Sequence, residues 1–285
     1  MRIENIQLNL IRTFIEVCKD KNITLTSERL NLDASTIIKQ LKQLENEFGK
    51  KLYIGHAGAK KGIDITESGK ILYEGFNKAY NMLLLTEKRF NEVEGIENGK
   101  LSIGIKEGIK DYYLDKIIEE FINKYPNLTI KFFESNSHEL TNRLQNYNVD
   151  LIIGDINIDN NGFTSECIIN DTLCYAYNEE LNPNFKEKIE LILPVKENSQ
   201  REIINTYLKN NDIDYKIKYE FSDTRSVVDY INKGKGIGII PRKIAEVSNL
   251  KIKDLNVNVK YDINILYVNE NLSSSAKEFI EFLLK

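Results

Sequence analysis

Residues 24–49 read TLTSERLNLDASTIIKQLKQLENEFG, and this stretch decides the fold of the first part of the chain. It predicts a short helix over Leu25–Leu30 that is capped by Thr24, because a threonine hydroxyl accepts a hydrogen bond from an unpaired amide of a first helical turn. The next two residues form a tight turn. A second helix is predicted over Asp33–Phe48, with the aspartate as its cap and Gly49 at its end.

The second predicted helix has two different faces. Its apolar face repeats at the helical period and comprises Ile37, Leu41, Leu44 and Phe48. The opposite face is polar and basic and carries Ser35, Lys39 and Lys42, with Ile38 at its margin. Two short helices with such a face on the second are typical of a helix-turn-helix whose second helix enters the DNA major groove. For these helices alone, the solvated face of a small helical bundle remains the alternative.

A hairpin is predicted after the two helices. Lys51–Ile54 and Ile63–Ile65 have the composition of two short strands, and three glycines lie in and beside the segment that connects them. The tip of the hairpin carries His56, Lys60 and Lys61. A glycine-rich, cationic tip is typical of a wing that grips phosphate or the minor groove.

These residues together resemble the N-terminal domain of LysR-type transcriptional regulators. The matching positions are Ile11, Phe14, Arg29-Leu30, Gln40, Leu44-Glu45, Gly49, Leu52-Tyr53 and the run Ile65-Thr66-Glu67-Ser68-Gly69. The chain departs from the family pattern at Ile38, where a serine is common, and in a longer wing.

The helix, the wing and the resemblance together predict the residues that contact DNA. They are Arg29, Asp33, Ala34, Ser35, Thr36, Ile38, Lys39, Lys42, His56, Lys60 and Lys61. Ile38 suits an apolar contact with a thymine methyl group, and the two lysines of the helix suit guanine or phosphate.

The charge distribution agrees with this placement. The net charge of the 285 residues is -4, but residues 1–65 contain 11 Lys+Arg against 8 Asp+Glu, and the rest of the chain contains 28 against 35. The excess of cations thus lies where DNA is expected to bind, and the acidic excess lies elsewhere. No apolar run is long enough to cross a bilayer and no signal peptide opens the chain, so we expect a cytoplasmic protein without membrane contact.

Few residues have the spacing that metal, redox or catalytic chemistry requires. His56 and His138 have no ligand-spaced companions, which predicts no metal site. The three cysteines are too few for a disulfide framework. We expect buried, inert thiols, with a redox pair of Cys167 and Cys174 as the alternative, since the sequence alone does not decide whether they are redox-active. No nucleophile–base set or phosphate loop appears, so we expect neither an enzyme nor a cofactor.

A long helix is predicted over Thr66–Val93. One stripe alternates in steps of four and three, which is typical of a coiled-coil seam, and consists of Leu72, Phe76, Ala79, Leu83, Thr86, Phe90 and Val93. The small DNA-binding domain alone is not expected to bury such a seam. We therefore predict self-association through this helix, and the family resemblance implies an antiparallel pair within a dimer or tetramer. Pairing would also present two recognition helices to a two-fold operator.

The rest of the chain alternates strands and helices, which predicts an α/β fold with mostly parallel sheets. Strands are predicted over 101–105, 128–134, 149–155, 172–177, 189–194, 215–221, 236–240 and 262–268. Helices are predicted over 111–124, 138–145, 200–209, 224–232 and 273–284.

Landmarks in this region extend the family resemblance across nearly the whole chain. They are residues 99–104, Phe121 with Tyr125-Pro126, Val149-Asp150-Leu151 and residues 234–241. The resemblance implies a two-lobed effector domain like a periplasmic binding protein. The expected organisation is a winged helix-turn-helix over 1–65, a linker helix over 66–95 and an effector domain over 100–285. Lobe I is expected to comprise about 100–166 and 264–285, and lobe II about 167–263.

Ligands of such sheets lie beyond the carboxyl ends of strands, near the starts of the following helices. This rule selects Lys106, Glu107, Gly108, Ser135, Asn136, Ser137, Asn198, Ser199, Gln200, Ser222, Asp223, Thr224 and Arg225. Free amides at helix starts favour anions, so Ser199, Thr224 and Arg225 are predicted to hold a carboxylate or phosphate. Ordinary helix capping is the alternative explanation for the serines, asparagines and aspartate.

The predicted function is a DNA-binding transcriptional regulator whose activity a small-molecule, anionic effector modulates. Closure of the cleft would reposition the paired recognition helices and change contact with RNA polymerase. The alternatives are a small-molecule binding module and an enzyme with an appended DNA-binding domain.

Overall fold

The computed structural model describes residues 4, 6–55, 62–93, 96, 99–156, 162–268 and 272–284 of the chain. The chain divides into two compact units, Met1–Glu87 and Lys88–Lys285. The N-terminal unit begins with three helices, α1 (Leu8–Asp20), α2 (Ile23–Leu30) and α3 (Ala34–Phe48). The predicted helix pair is therefore present, and a further helix precedes it.

The helix starts differ from the predicted caps. The side-chain oxygen of Asn22 accepts hydrogen bonds from the amides of Thr24 (3.0 Å) and Leu25 (3.2 Å), so Asn22 caps α2. The prediction of Thr24 as the cap is wrong because the helix begins at Ile23 and Thr24 already lies in its first turn. Asp33 occupies the cap position of α3, but its side chain makes no capping hydrogen bond.

The apolar stripe of α3 forms the core of the N-terminal unit. Ile37, Leu41 and Leu44 are each at most 1% exposed, and they belong to the same buried cluster as Phe14 of α1. Gly49 ends the helix as predicted, with a φ of 62° that favours glycine.

The described part of the wing is tied to α3 by a buried carboxylate. The hairpin strands β1 (Tyr53–Gly55) and β2 (Ile63–Ile65) pair antiparallel. Glu45 of α3 is 6% exposed and accepts hydrogen bonds from the Leu52 amide and the Lys51 ammonium group, both at 2.9 Å. The start of the hairpin is thereby fixed against the helix, whereas the predicted tip residues His56, Lys60 and Lys61 lie outside the described residues.

A close backbone approach follows the hairpin. Thr66 precedes helix α4 (Glu67–Asn91), and its hydroxyl accepts a hydrogen bond from the Gly69 amide at 3.1 Å. A Cβ added at Gly69 would lie only 2.1 Å from the carbonyl oxygen of Leu52. Gly69 is therefore required for α4 to pack against the hairpin.

We expect Gly69→Ala to lower the free energy of unfolding of the N-terminal unit by about 3 kcal/mol, because a backbone atom must move to accept the methyl group. Urea unfolding followed by circular dichroism measures the change. Gly75→Ala on the same helix is the control, since a Cβ there meets nothing within 4 Å. This control should stabilise the helix by up to about 1 kcal/mol. Equal stability of the two variants would contradict the packing argument.

The predicted seam of α4 divides into a buried and an exposed part. Leu72 is half-buried and Phe76 is 8% exposed, in edge-to-face contact with Phe14 and Phe48. The N-terminal unit thus covers the first two seam positions and leaves the later ones exposed. The exposed positions are Ala79, Leu83, Thr86, Phe90 and Val93. Their spacing of four and three is retained.

The C-terminal unit contains two five-stranded sheets. In chain order its first elements are β3 (Lys100–Lys106), a π-helical turn (Lys110–Leu114), α5 (Asp115–Lys124), β4 (Thr129–Ser135), α6 (Ser137–Gln145), β5 (Leu151–Gly154), β6 (Thr164–Ile169), β7 (Leu173–Tyr177) and β8 (Ile189–Pro194). They are followed by α7 (Ser199–Asn210), β9 (Tyr215–Phe221), α8 (Thr224–Asn232), β10 (Ile237–Pro241), α9 (Arg242–Val247), β11 (Lys251–Asp254), β12 (Ile263–Tyr267) and α10 (Ser274–Leu283).

Each sheet defines one lobe. Lobe I has the strand order β4-β3-β5-β12-β6, and lobe II has the order β11-β7-β10-β8-β9. In each sheet two neighbouring pairs are parallel and two are antiparallel. The prediction of mostly parallel sheets is therefore wrong. One strand of each sheet, β12 in lobe I and β7 in lobe II, runs against the other four, which makes both of its pairs antiparallel.

The crossings between the lobes are short and lie side by side. The chain leaves lobe I after Ile169, so the expected boundary after residue 166 falls inside β6. At the crossings, Thr172 bridges Lys260, and the Leu173 amide donates to the carbonyl of Val259 at 2.8 Å. This paired segment joins the two lobes as a hinge would.

The end of α4 is attached to lobe I by two polar contacts. The ammonium group of Lys88 lies 2.7 Å from the carboxylate of Asp150, which also accepts a hydrogen bond from the Ser102 amide of β3. Just past the helix, Glu92 is 4% exposed and accepts hydrogen bonds from the amide and hydroxyl of Ser275 in the first turn of α10. Lobe I thus holds the end of α4 through buried charges.

Burial raises the pKa of Asp150, although Lys88 acts against that rise. We expect Lys88→Met to lower the free energy of unfolding of the C-terminal unit by about 3 kcal/mol at pH 7, because it leaves a buried carboxylate unpaired. The pKa of Asp150 then rises further, so the variant loses stability as pH increases through that pKa and regains part of it towards pH 5.

Urea unfolding of the full chain at pH 7 and pH 5 measures this effect. Lys116→Met, at an exposed position of α5, is the control and should change stability by less than about 0.5 kcal/mol at either pH. A Lys88→Met deficit that is the same at both pH values would show that Asp150 does not take up a proton.

Candidate functional site

The outer face of α3 carries polar and basic side chains that are exposed. Ser35, Lys39 and Lys42 are exposed, and Ile38 is half-buried between them. Within the described ranges, neither lysine forms an ion pair with an acidic side chain. The helix therefore presents two unneutralised cations and one apolar side chain on a single face.

This face forms a shallow concave surface that is wider than the sequence analysis predicted. It is lined by Ser35, Ile38, Lys39, Lys42, Gln43 and Asn46. Gln43 and Asn46 were missed, although they follow Lys39 and Lys42 by one helical turn and lie on the same side of the helix. Their amide groups are well suited to adenine, which presents a donor and an acceptor side by side in the major groove.

The other predicted DNA-contacting residues have mixed environments. Asp33 and Ala34 are exposed at the start of α3, and Thr36 is half-buried. The guanidinium group of Arg29 pairs with Glu16 and Asp20 of α1, so it ties α2 to α1. In this arrangement the Arg29 side chain packs towards α1 and away from the outer face of α3.

The second site lies where the two lobes meet. Lys106 ends β3 and Asp155 directly follows β5, so both come from the carboxyl ends of parallel strands in lobe I. Their side chains are 9% and 5% exposed and form an ion pair. Ser199, the first residue of α7 in lobe II, accepts a hydrogen bond from Lys106 at 2.7 Å and donates one to Asp155 at 3.0 Å. These three residues form the bridge between the lobes and are called the cleft triad below.

One tyrosine contacts the cleft triad, and another contacts the crossing between the lobes. Tyr261 is 4% exposed and hydrogen-bonds to Asp155, and burial, followed by that carboxylate, raises the pKa of its hydroxyl well above its usual value. Tyr113 of the π-helical turn donates to Asp171 at the crossing, at 2.6 Å, and burial likewise raises its pKa. Both hydroxyls therefore stay protonated at neutral pH and act as donors to carboxylates.

A second contact between the lobes involves the start of α8. Gly108 follows β3 with a φ of 82°, and a Cβ there would lie 3.3 Å from Thr224. Arg225 forms an ion pair with Asp111 of the π-helical turn. The predicted pair Thr224 and Arg225 thus faces lobe I, but the guanidinium group of Arg225 is already paired with the carboxylate of Asp111.

Helix capping accounts for part of the predicted effector set. The side chains of Asn136, Asn198 and Asp223 accept hydrogen bonds from the first turns of α6, α7 and α8. Gln200 is 4% exposed and packs in lobe II. Among the described residues, no hydrogen bond joins the side chains of the remaining members to the cleft triad; these members are Glu107, Ser135, Ser137 and Ser222.

The carboxylate that completes the triad was not predicted from the sequence. The rule selected residues that follow predicted strands, and Asp155 was predicted as the last residue of a strand over 149–155. In the structure β5 ends at Gly154, and Asp155 is the first residue after it. Asp111, Asp171 and the two tyrosines gave no such signal, because only the packing of the lobes brings them to the cleft.

The three cysteines are free thiols. Cys18 and Cys174 are buried, and burial raises the pKa of each to about 12. Cys167 is exposed, which corrects the expectation that all three are buried. Cys167 and Cys174 lie in the sheets of different lobes, β6 and β7.

In the part of the chain that the structure describes, no group of acidic, cysteine and histidine side chains is arranged to hold a metal ion. Among the described helices, none combines the length and apolar character needed to span a bilayer.

The chain is similar to characterised regulators along nearly its whole length. CysL of Bacillus subtilis (strain 168), an HTH-type transcriptional regulator, is 24% identical over 280 residues, which cover 94% of this chain and 88% of CysL. Full-length CbnR, solved in complex with its target DNA, superposes with a TM-score of 0.68 at 17% identity and covers 98% of this chain and 99% of CbnR.

Two solved structures with bound small molecules share the fold. LysG of Corynebacterium glutamicum, with bound effector Arg, has a TM-score of 0.64 at 12% identity and covers 98% of this chain and 97% of LysG. The regulatory domain of Synechocystis PCC6803 CcmR, in complex with 2-PG, has a TM-score of 0.57 at 18% identity and covers 65% of this chain and 95% of that domain.

Two family models match the two parts of the chain. The model of the bacterial regulatory helix-turn-helix protein, lysR family, matches residues 8–70. The model of the LysR substrate binding domain matches residues 94–285. Because these matches include both the winged helix-turn-helix and the two-lobed domain, the chain belongs to the LysR family of transcriptional regulators.

Proposed function

We propose that the outer face of α3 reads an operator in the major groove and that a small molecule bound between the lobes controls this binding. The observation that carries the proposal is the concave face of α3, where Lys39 and Lys42 are exposed without acidic partners among the described residues. The CbnR complex supports it, because a protein of the same fold binds target DNA.

In this proposal different residues of α3 contact different parts of the DNA. Lys39 and Lys42 contact phosphate or guanine, and Gln43 and Asn46 contact adenine. Ser35 and Thr36, near the start of the helix, suit phosphate or a base edge. His56, Lys60 and Lys61 of the wing contact the adjacent backbone or minor groove.

We expect Ile38→Ser to relax base preference at one operator position in each half-site, because the apolar contact with a thymine methyl group is lost. Discrimination at that position should fall by about 1–3 kcal/mol, with overall affinity changing less. Binding to a set of single-base operator variants measures it. Ile71→Ser, at an exposed position of α4, is the control. An unchanged preference at every position would mean that Ile38 does not read DNA.

We propose that the effector binds at the junction of the lobes, near the cleft triad and the contact between Gly108 and Thr224. The bound effector Arg in LysG and the bound 2-PG in CcmR support small-molecule binding in this fold. A ligand shifts the arrangement of the lobes only if it binds one arrangement more tightly than the other. The attachment of α4 to lobe I then gives the shift a route to the DNA-binding units.

The exposed seam of α4 is proposed to join two or four copies of the chain, since the apolar positions Leu83, Phe90 and Val93 are more than half exposed. Repositioned pairs of recognition helices would change DNA spacing or bending, and with it contact with RNA polymerase. Such a protein acts where the chromosome is, in the cytoplasm. We assign it no catalytic role.

The direct test is gel mobility with the DNA upstream of the gene, measured across salt concentrations. We expect retardation of this fragment and not of an unrelated fragment, with the logarithm of affinity falling steeply as salt rises. A thermal-shift screen of small carboxylates, phosphates and amino acids should find a ligand that also changes the operator affinity. If the upstream fragment binds no better than unrelated DNA at any salt concentration, the proposal fails.

A further inference from the structure

The cleft triad contains a complete pair of opposite charges that water hardly reaches. Lys106 and Asp155 have side chains that are 9% and 5% exposed, and both point to the one position where Ser199 of lobe II meets lobe I. Within the described ranges, the ammonium group has three donors and two acceptors. The ammonium group of Lys106 can therefore donate a hydrogen bond to one more acceptor.

The local backbone is shaped to admit this lysine. Gly154 lies on the neighbouring strand, and a Cβ added there would come within 2.8 Å of the Cβ of Lys106. A side chain at residue 154 would therefore displace the lysine from the cleft. Since a buried ion pair contributes little net stability, the arrangement favours a role in binding over a role in folding.

The charges of the triad restrict which kind of ligand can bind between Lys106 and Asp155 when the contact between the lobes opens. A simple anion near Lys106 would also meet the carboxylate of Asp155, and a simple cation near Asp155 would meet the ammonium group. An uncharged molecule would separate the pair and leave both charges buried without a partner. A molecule that carries one positive and one negative group a few ångströms apart satisfies both.

We propose that the effector is a free α-amino acid in its zwitterionic form, a proposal that rests on the proposed function. Its carboxylate takes the place of Asp155 on Lys106 and Ser199, at the start of α7, where helix amides favour negative charge. Its ammonium group pairs with Asp155, which Tyr261 holds by a hydrogen bond. The amino acid separates the internal ion pair without leaving either charge unpaired, and the lobes part to admit it.

The first experiment uses the unmodified full chain. Each of the twenty common L-amino acids is tested by thermal shift, and the best is titrated by calorimetry beside its N-acetyl derivative and its carboxamide. We expect one or a few amino acids to bind, and each derivative to bind at least about 30-fold more weakly, because each lacks one of the two charges. Binding of the N-acetyl derivative or the carboxamide within threefold of the parent would overturn the proposal.

The second experiment pairs protein variants with the same ligands. In Lys106→Gln the amino acid should lose at least about 30-fold in affinity, whereas its carboxamide should bind the variant and the unmodified protein about equally. In Asp155→Asn the same relation should hold for the N-acetyl derivative. Lys116→Gln, at an exposed position of α5, is the control and should bind the amino acid normally. Independent, additive losses would show that these charges do not meet the ligand.

The outcomes separate this inference from the proposed function. If no amino acid binds but a simple carboxylate or phosphate changes operator affinity, the effector cleft stands and the zwitterion is wrong. If an amino acid binds as described and operator affinity never changes, the ligand assignment stands and its regulatory role is wrong. Should Lys106→Gln fail to fold, the ligand series on the unmodified chain decides.

Discussion

Replacement of both Leu83 and Phe90 by aspartate is expected to convert the protein to monomers and to lower operator affinity by at least about 100-fold. The two side chains are 51% and 76% exposed on α4, at positions seven residues apart along the predicted seam. Aspartates there would place buried charges in a helix–helix interface. Operator affinity falls because two linked recognition helices bind two half-sites far more tightly than a single helix binds a single half-site.

Light scattering gives the mass of the assembled protein, and gel mobility gives its affinity for the operator. Leu84→Asp is the matched control, because Leu84 is 45% exposed on the same helix but outside the seam. This variant should keep both the mass and the affinity of the unmodified protein. A Leu83→Asp/Phe90→Asp variant that keeps its oligomeric mass would rule out the seam as the interface.

The second large effect is expected on the recognition face. Lys39→Gln combined with Lys42→Gln should lower operator affinity by about 100-fold at moderate salt. The slope of log affinity against log salt should fall by about 3.6, because two lysines are lost from each of two paired helices and each phosphate contact releases about 0.9 counterion. Both side chains are exposed, so the fold should be unaffected.

Filter binding at several salt concentrations measures both quantities. Lys78→Gln removes an exposed lysine of α4 from the same unit, and it should change neither the affinity nor the slope. An affinity loss with an unchanged slope would mean that these lysines contact bases and not phosphates. Unchanged affinity would remove this face of α3 from the DNA interface.

The DNA-binding face could be predicted from the sequence because it depends on local periodicity. The apolar stripe with Ile37 and Leu41, and the stop at Gly49, follow from helix geometry and appear in the structure. Gln43 and Asn46 were missed because the prediction stopped at the basic residues. The cap of α2 was misplaced by two residues, since Asn22 and Thr24 both have side chains suited to that position.

The lobes were predicted less completely, for reasons that lie in the packing of the sheets. Two strands, β6 and β11, were not predicted. Both lie at sheet edges, and in both exposed side chains are interspersed with partly buried ones. Such strands carry a weak hydrophobic signal. The short helix α9 was missed as well. The direction of β12 depends on where the chain re-enters lobe I, which no local pattern encodes.

The candidate effector site was also predicted only in part, since some of its residues follow from local pattern and others from the packing of the lobes. The rule that ligands lie beyond the carboxyl ends of strands selected Lys106 and Ser199. Their Nζ and Oγ atoms are 2.7 Å apart, although the two residues are far apart in sequence. It also selected residues that cap helices, such as Asn136 and Asn198, because capping and anion binding use the same side chains at the same positions. Only the packed lobes show that Asp155 completes the triad.

The central claim is that α3, presented in pairs, lies in the major groove of an operator. The most direct measurement is a footprint of the assembled protein on the DNA upstream of its gene. We expect two protected half-sites related by approximate two-fold symmetry, with centres separated by about 10.5 base pairs or a multiple of it. Absence of protected bases at low salt, on this DNA and on every other genomic fragment tested, would contradict it.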